Sequence, residues 1–454
     1  MTTTAIALFT RDLRVHDNPM LVGAADSAER VLPVFVLVDA VLGSAYLAPN
    51  RASFLVDALR DLDSALRDRG SGGLVVRRGD PAHEVAALAD EVGAASVHVS
   101  GDWSRHALRR RDRLEKRLAD AGVELVVHDD VLVVAPPGSL RPGDKDHFAV
   151  FTPYYRRWSD RPRRPVLDPP DHLTSPDVRT GRIPAAETLC PGERAPDLPE
   201  GGETAARQRM ADWQRSSMTA YADQHDDLAG DDTSRISPYL HFGCLSPTEI
   251  VAKAGRSQGA EAFVRQLAWR DFNVQVLAAR PAAAAEDYRS RGDRWRHDED
   301  DLAAWKAGRT GYPIVDAAMR QLLQEGWMHN RGRLIVGSFL TKTLYLDWRE
   351  GARHFLHHLV DGDIANNQLN WQWVAGTGTD TRPGRVLNPL RQAERFDPDG
   401  DYVRRYVPEL AGVEGGAVHE PWKLPDDVRA GLDYPEPIID LAEGRRRFLD
   451  SRGG

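Results

Sequence analysis

A chain of 454 residues and 50.4 kDa, with 41% hydrophobic and 28% charged residues, has the length for two or three domains and the composition of an ordinary globular protein, not a disordered chain, a collagen or a coiled coil. No apolar run reaches the ~20 residues needed to cross a bilayer, and Met1–Thr10 lacks the features of a secretory signal, so the expected location is the cytoplasm. The net charge of −9 argues against a uniformly basic coat, and two cysteines, Cys190 and Cys244, exclude a disulfide framework and an iron–sulfur cluster held by four thiolates.

The first 135 residues alternate β-like apolar runs with helical stretches. The runs are Ala5–Phe9, Val31–Val38, Leu74–Val76, Ser96–Val99, and Leu125–Val127 continuing to Val131–Val134. Arg51–Arg67 and Pro81–Val92 between them place apolar residues at helical spacing. This alternation predicts an α/β layer on a parallel sheet, whose ligand site would lie at the carboxyl ends of strands where their order reverses. No G-x-G-x-x-G follows the first run, so the usual dinucleotide fingerprint is missing.

Residues 136–203 are rich in proline, aspartate and arginine and predict a long linker with little regular structure. Within it, Phe151–Pro165 (FTPYYRRWSDRPRRP) is basic and aromatic. Such a stretch suits nucleic acid and suits equally a linker packed on a domain surface. From 204 to 454 helical spacing dominates. Ser246-Pro247-Thr248-Glu249 reads as a capping box, and Leu334, Ile335, Phe339, Leu340 and Leu344 mark one buried helical face. Nine of the eleven tryptophans lie at or after Trp213.

Three constellations could carry chemistry. His354, His357 and His358 have no third zinc-spaced partner and read as an exposed helix, so no metal site is expected. Thr233-Ser234-Arg235-Ile236-Ser237-Pro238 places hydroxyls and an arginine at a helix start, which could bind an anion but on local evidence alone reads first as ordinary capping. Asp361–Trp373 crowds two acids, four asparagine and glutamine amides before Trp371, and two tryptophans into thirteen residues. In-plane hydrogen-bonding groups beside indoles suit the edge of a heteroaromatic cofactor better than a structural network.

Four stretches together resemble the photolyase/cryptochrome family: Thr10–Asn18 (TRDLRVHDN), Thr233–Leu240, Gly308–His329 (GRTGYPIVDAAMRQLLQEGWMH) and Asp347–Thr379. The resemblance extends from about residue 5 to residue 410 and is nearest to actinobacterial-type members acting on cyclobutane pyrimidine dimers. It implies a Rossmann-like parallel-sheet domain joined by the linker to a helical FAD-binding domain. FAD contacts would fall on Tyr221, Thr233, Ser234, Arg235, Ile236, Ser237, Arg270, Asn330, Arg333, Asp361, Asp363 and Asn367. Asn367 would face flavin N5, and Asp361 with Arg333 would lie against the ring. Trp371, Trp348 and Trp295 would form an electron-transfer chain. Trp269 and Trp373 would line the lesion pocket beside Gln266, and Arg331, Arg382, Arg385 and Arg391 would reach DNA phosphates. Asp39, Arg51 and Phe54 would touch an antenna, 8-hydroxy-5-deazaflavin before methenyltetrahydrofolate.

The resemblance implies light-driven repair of cyclobutane pyrimidine dimers by electron transfer from excited FADH⁻, in a monomer that meets ultraviolet-damaged DNA at the nucleoid and no membrane. The alternatives are repair of (6-4) products and a blue-light-sensing cryptochrome. Gln266 stands where a dimer-binding glutamate is usual and also occurs in the (6-4) branch, whereas Asn330 replaces that branch's catalytic histidine. Leu334 stands where methionine is common, and the turn at Pro383-Gly384-Arg385 is one residue short. The short segment after Tyr402 argues against a signalling tail.

Overall fold

The computed structural model describes residues 2–452. Five strands, β1 (Thr4–Phe9), β2 (Arg30–Val38), β3 (Val75–Gly79), β4 (Ser96–Ser100) and β5 (Glu124–His128), form one all-parallel sheet in the order β3-β2-β1-β4-β5. The order reverses between β1 and β4. Every residue of β1 is buried, as expected for a parallel strand covered on both faces. Ile6 pairs in register with Leu32 and Val97, and this row packs with Val85, Leu88, Leu114 and Leu118 of the connecting helices. Those helices start where the side chains dictate. Asn18, Asp80 and Ser104 accept backbone N–H groups at the starts of Pro19–Ser27, Pro81–Val92 and Arg105–Asp120. Gly93 ends the second in the left-handed conformation at φ +62°.

Each expected run is a strand except Val131–Val134, which is buried but irregular. Side chains replace a strand partner there. Arg14 donates to Val131 O at 3.0 Å, Arg270 to Leu132 O at 2.6 Å and Arg161 to Val134 O at 2.9 Å. Asp271 Oδ2 accepts from Val134 N and Ala135 N, both at 2.9 Å. The capping box at Ser246 is half formed. Its hydroxyl accepts from Glu249 N at 3.2 Å, but the Glu249 carboxylate turns to Arg207 and Lys253.

Between 136 and 202 the regular elements are helix Phe151–Asp160 and the one-turn helix Ala186–Leu189. The first ten residues of the basic, aromatic stretch are therefore helical. Phe151, Tyr154 and Trp158, at positions i, i+3 and i+7, bury one face, while Arg156 and Arg157 stay exposed on the other.

Compactness divides the chain into two units. One comprises Met1–Arg194, Pro199–Thr219 and Ser234–Pro281, and the other Ala195–Leu198, Ala220–Thr233 and Ala282–Gly454. The division at 135 and 203 is one of sequence character. Spatially, helix Gln258–Ala279 belongs with the sheet. The second unit is helical. Its core joins helices Pro313–Glu325, Asn330–Ser338, Trp348–His358 and Ile364–Ala375 through Val315, Met319, Val336, Phe355 and Trp371. Helix Asn330–Ser338 runs into a π-helical turn at Phe339–Thr343. Ile335, Phe339, Leu340 and Leu344 are buried as expected, but Leu334 is half-exposed. The histidine-bearing helix is also less exposed than expected: His354 is half-buried, 5.6 Å edge-on from Trp305.

Candidate active site

Helix Ile364–Ala375 organises the second unit's functional residues. Asp363 caps it, accepting from Asn366 N at 2.9 Å and Asn366 Nδ2 at 2.8 Å. One turn in, Asn367 is buried. Its Nδ2 donates to Ala352 O at 3.1 Å and Gln368 Oε1 at 2.9 Å, which points the carboxamide oxygen away from both. Just before the helix, Asp361 Oδ2 accepts from Arg333 Nη2 at 2.8 Å, and Arg333 Nε donates to Met328 O at 2.8 Å. Among the described residues, Asp361 Oδ1 is buried with no protein partner, and so is Thr233 Oγ1 in the same unit. A buried acceptor and a buried hydroxyl left open are what a polar ligand would complete. Tyr221 is buried in this unit, and burial pushes its phenol upward. Asn330 opens helix Asn330–Ser338 from an exposed position.

Two residues apart on one helix, Trp371 and Trp373 point about 200° apart. Trp371 enters the core, 4.9 Å from Phe355 and 6.0 Å from Trp305 between ring centroids, whereas Trp373 is half-buried. Trp348, fully buried, opens the neighbouring helix and donates Nε1–H to Asp287 Oδ1 at 2.9 Å. Trp295 is half-buried against Tyr345 at 5.1 Å. All three expected electron-transfer tryptophans thus lie in one compact unit.

The first unit holds the remainder. On helix Gln258–Ala279, Gln266 is exposed, and Trp269, three residues on, lies half-buried on the adjoining surface. Phe151 stacks on Trp269 with centroids 3.7 Å apart and planes 6° from parallel. The next two residues of the helix anchor it. Arg270 donates to Leu132 O and Leu240 O, and Asp271 accepts from Trp158 Nε1 at 2.9 Å besides the two backbone groups. Ser234, buried, accepts at its carbonyl from Arg209 Nε at 2.9 Å. Arg235 holds φ at +51°, a strained value for a residue with a side chain. Among the described residues no side chain caps the helix that follows, which has Ile236 at its N-cap and Ser237 at its first position.

Other expected contacts are already engaged. Arg331 forks onto Asp226, with Nε at 3.2 Å and Nη2 at 2.5 Å, and lies 4.2 Å over Phe396. Arg382, Arg385 and Arg391 are exposed. Arg51 is buried with Nε on Tyr46 O at 2.9 Å, Phe54 packs between Tyr239 and Phe242, and exposed Asp39 pairs with Arg78 at 2.7 Å. At the reversal between β1 and β4, Arg11 pairs with Asp102 at 3.1 Å, and burial pushes the Arg110 guanidinium down. Sequence reasoning missed Phe151 as the partner of Trp269 and Asp287 as the partner of Trp348. Only the i, i+3, i+7 spacing of Phe151 gave any signal, because each lies far along the chain from its partner.

Residues 5–172 match the DNA photolyase family, and residues 263–453 match the FAD binding domain of DNA photolyase. A deoxyribodipyrimidine photo-lyase of Streptomyces griseus is 58% identical, over 99% of each chain. The chain belongs to the DNA photolyase family. Among solved photolyases, a bacterial class III enzyme from Agrobacterium tumefaciens superposes with a TM-score of 0.92 at 33% identity, covering 99% of this chain and 97% of that one. A cryptochrome from Synechocystis superposes with a TM-score of 0.89 at 28% identity, covering 99% and 98%. The fold is therefore common to photolyases and cryptochromes. The photolyase FAD-binding region includes Arg270, Asn330, Arg333, Asp361, Asp363 and Asn367, whereas Tyr221 and Thr233–Ser237 precede it. The open Asp361 and Thr233 oxygens fit a flavin nucleotide, which offers ring-edge N–H groups and polar oxygens. Among the described residues no helix is long and apolar enough to cross a membrane, and no cluster of three or more His, Cys, Asp or Glu could hold a metal ion.

Proposed function

We propose that the protein uses light to repair cyclobutane pyrimidine dimers in DNA. The observation that carries this reading is the 58% identity, across 99% of both chains, to a deoxyribodipyrimidine photo-lyase. Reduced FAD, excited by blue or near-ultraviolet light, supplies the electron that splits the cyclobutane ring. Tyr221, Thr233, Ser234, Arg235, Ile236, Ser237, Arg270, Asn330, Arg333, Asp361, Asp363 and Asn367 hold it. Asp361 would accept a ring N–H through its open oxygen, while Arg333 holds the other carboxylate oxygen in place. The Asn367 amide hydrogens are committed to Ala352 and Gln368, so its oxygen is the atom offered to the cofactor. An acceptor there favours the N–H form of a ring nitrogen, the form found in reduced flavin.

Trp269 and Trp373 supply aromatic faces for a dimer turned out of the duplex. Such a lesion is already poorly stacked, which lowers the cost of extruding it, and photolyases are among the enzymes for which base flipping is described. Gln266 donates its amide to a thymine carbonyl; it stabilises developing negative charge by hydrogen bonding and has no proton to give. Arg382, Arg385 and Arg391 are exposed and reach phosphates. Arg331 joins them only by leaving Asp226. Asn330 cannot supply imidazole acid–base chemistry, which sets (6-4) repair behind dimer repair. The antenna is 8-hydroxy-5-deazaflavin, with methenyltetrahydrofolate second. The reversal point near Arg11, Asp102 and Arg110 supports a site in the sheet domain better than do Asp39, Arg51 and Phe54. The protein acts as a cytoplasmic monomer that joins the nucleoid through DNA.

A blue-light sensor is the second reading, favoured by the TM-score of 0.89 to a cryptochrome. One experiment separates the readings. Chemically reduced, FAD-loaded protein is illuminated with an oligonucleotide bearing a cyclobutane thymine dimer and with one bearing a (6-4) product, and restored thymines are counted by chromatography. Dimer repair is expected. Repair of the (6-4) product alone would make Gln266 the deciding residue, and repair of neither by flavin-loaded protein would favour the sensor.

A further inference from the structure

The three tryptophans of the proposed electron-transfer chain sit in different electrostatic surroundings. Trp371 Nε1 is buried with no protein acceptor among the described residues, and its ring neighbours, Phe355 and Trp305, are uncharged. Trp348 is at least as buried, yet its Nε1–H ends on a carboxylate, Asp287 Oδ1, at 2.9 Å. The same oxygen accepts from Arg349 Nη2 at 3.0 Å, and Arg349 Nη1 lies 3.0 Å from Asp347 Oδ1. Two carboxylates thus meet one guanidinium beside one indole. Arg349 Cζ lies 4.7 Å from the Trp348 ring centroid, where a cation opposes oxidation of the ring. Asp287 acts in the opposite direction at the N–H, which becomes more positive when the ring loses an electron. The Asp287 side chain is 15% exposed, so water screens it little.

We propose that Asp287 is a positioning residue for photoreduction, whose carboxylate on Trp348 N–H makes Trp348 easier to oxidise than Trp371 and so draws the electron vacancy outward. The inference rests on the reading of Trp371, Trp348 and Trp295 as the chain. In the step concerned, excited oxidised flavin has taken one electron from Trp371. One electron then passes from Trp348 to the Trp371 cation radical, which leaves Trp371 neutral and Trp348 a cation radical. No bond breaks, and the Trp348 proton stays in the hydrogen bond to Asp287. Trp295 refills Trp348, and an external thiol refills Trp295.

A purely structural role is the competing account: a buried N–H needs an acceptor, and Asp287 is one. The test is flash absorption of FAD-loaded protein in the oxidised state, with added thiol, following the tryptophan radical bands. Asp287→Asn keeps an oxygen acceptor and removes the charge. It is expected to shorten the life of the separated tryptophan radical by at least about tenfold and to lower the yield of reduced flavin, because one charge at contact distance in a weakly screened site outweighs a tenfold bias. Arg349→Gln removes the opposing cation and is expected to lengthen it. Unchanged radical kinetics in Asp287→Asn, with flavin content and thermal midpoint intact, would overturn the proposal. So would equal shortening in both variants, which marks a packing effect. Trp348→Phe is the control: if it photoreduces normally, the chain reading itself fails, whatever Asp287 does.

Discussion

Phe151 lies flat on Trp269, with centroids 3.7 Å apart and planes 6° from parallel. Helix Phe151–Asp160, within a stretch that reads as linker, thereby backs one face of the indole proposed to receive the lesion. Arg265 lies over Phe151 at 5.3 Å and over Tyr155 at 5.0 Å, extending the stack.

Phe151→Ala removes that support. Phe151 is buried, so the substitution is expected to cost ~3 to 5 kcal/mol. Freed of its stack, Trp269 is expected to bind a dimer-bearing oligonucleotide more weakly while flavin content changes little. Denaturant titration and fluorescence anisotropy check the two effects, and intact affinity in a destabilised protein would detach Phe151 from the lesion site.

Gly351 leaves no room for a side chain beside Trp371, the first indole of the proposed electron-transfer chain. A β-carbon there would stand 2.2 Å from Trp371 Cη2 and 2.5 Å from Cζ3. The helix is regular at Gly351, so the constraint is space and not backbone conformation. Gly351→Ala is expected to destabilise by ~1 to 3 kcal/mol and to displace Trp371, slowing flavin photoreduction. Repair by chemically reduced protein should suffer less. Illumination of the oxidised protein under thiol, beside the repair assay, separates the two.

Asp361→Asn tests the proposed flavin ring contact. The carboxylate is buried and holds Arg333 at 2.8 Å, so its loss leaves a guanidinium without its counter-ion and removes a charged acceptor. A charged hydrogen bond contributes ~1.5 to 3 kcal/mol, so FAD affinity is expected to fall about tenfold or more. Bound flavin absorbance after gel filtration reports it, and full retention would place the ring elsewhere.

His354 gives a pH dependence. Burial, and then the charge of His358, push its imidazole down to about 3 from 6.5, and among the described residues its Nε2 is buried with no protein partner. The folded protein keeps it neutral, whereas the unfolded chain protonates it below about pH 6.5. The contribution is therefore full above pH 6.5 and is lost as pH falls toward 3, at up to ~1.4 kcal/mol per unit. His354→Phe is expected to flatten this part of the profile. Thermal midpoints of both proteins between pH 7 and 4 decide it, and parallel profiles would refute the assignment.

The sheet was legible because its signals are local. Runs such as Ala5–Phe9 and Val31–Val38 are continuous apolar stretches, and Asn18, Asp80 and Ser104 cap the helices between them. Val131–Val134 misled for the same reason. It carries a strand's composition, yet Arg270 and Asp271, more than 130 residues on, take the backbone groups that a neighbouring strand would have taken. The capping box at Ser246 failed in its second half because Arg207 competes for Glu249.

By itself the sequence determined the alternation of strands and helices in the first 135 residues and the family, since the one depends on short-range spacing and the other on long matched stretches. The tertiary structure alone decided which polar groups were already engaged. Arg331 reads as a phosphate ligand until Asp226 takes it, and Arg51 reads as an antenna contact until its guanidinium is found on the Tyr46 carbonyl. It also decided that Trp348 meets a carboxylate while Trp371 does not. Hydrogen bonds and charges act over a few ångströms, and those partners lie from 5 to 105 residues away along the chain.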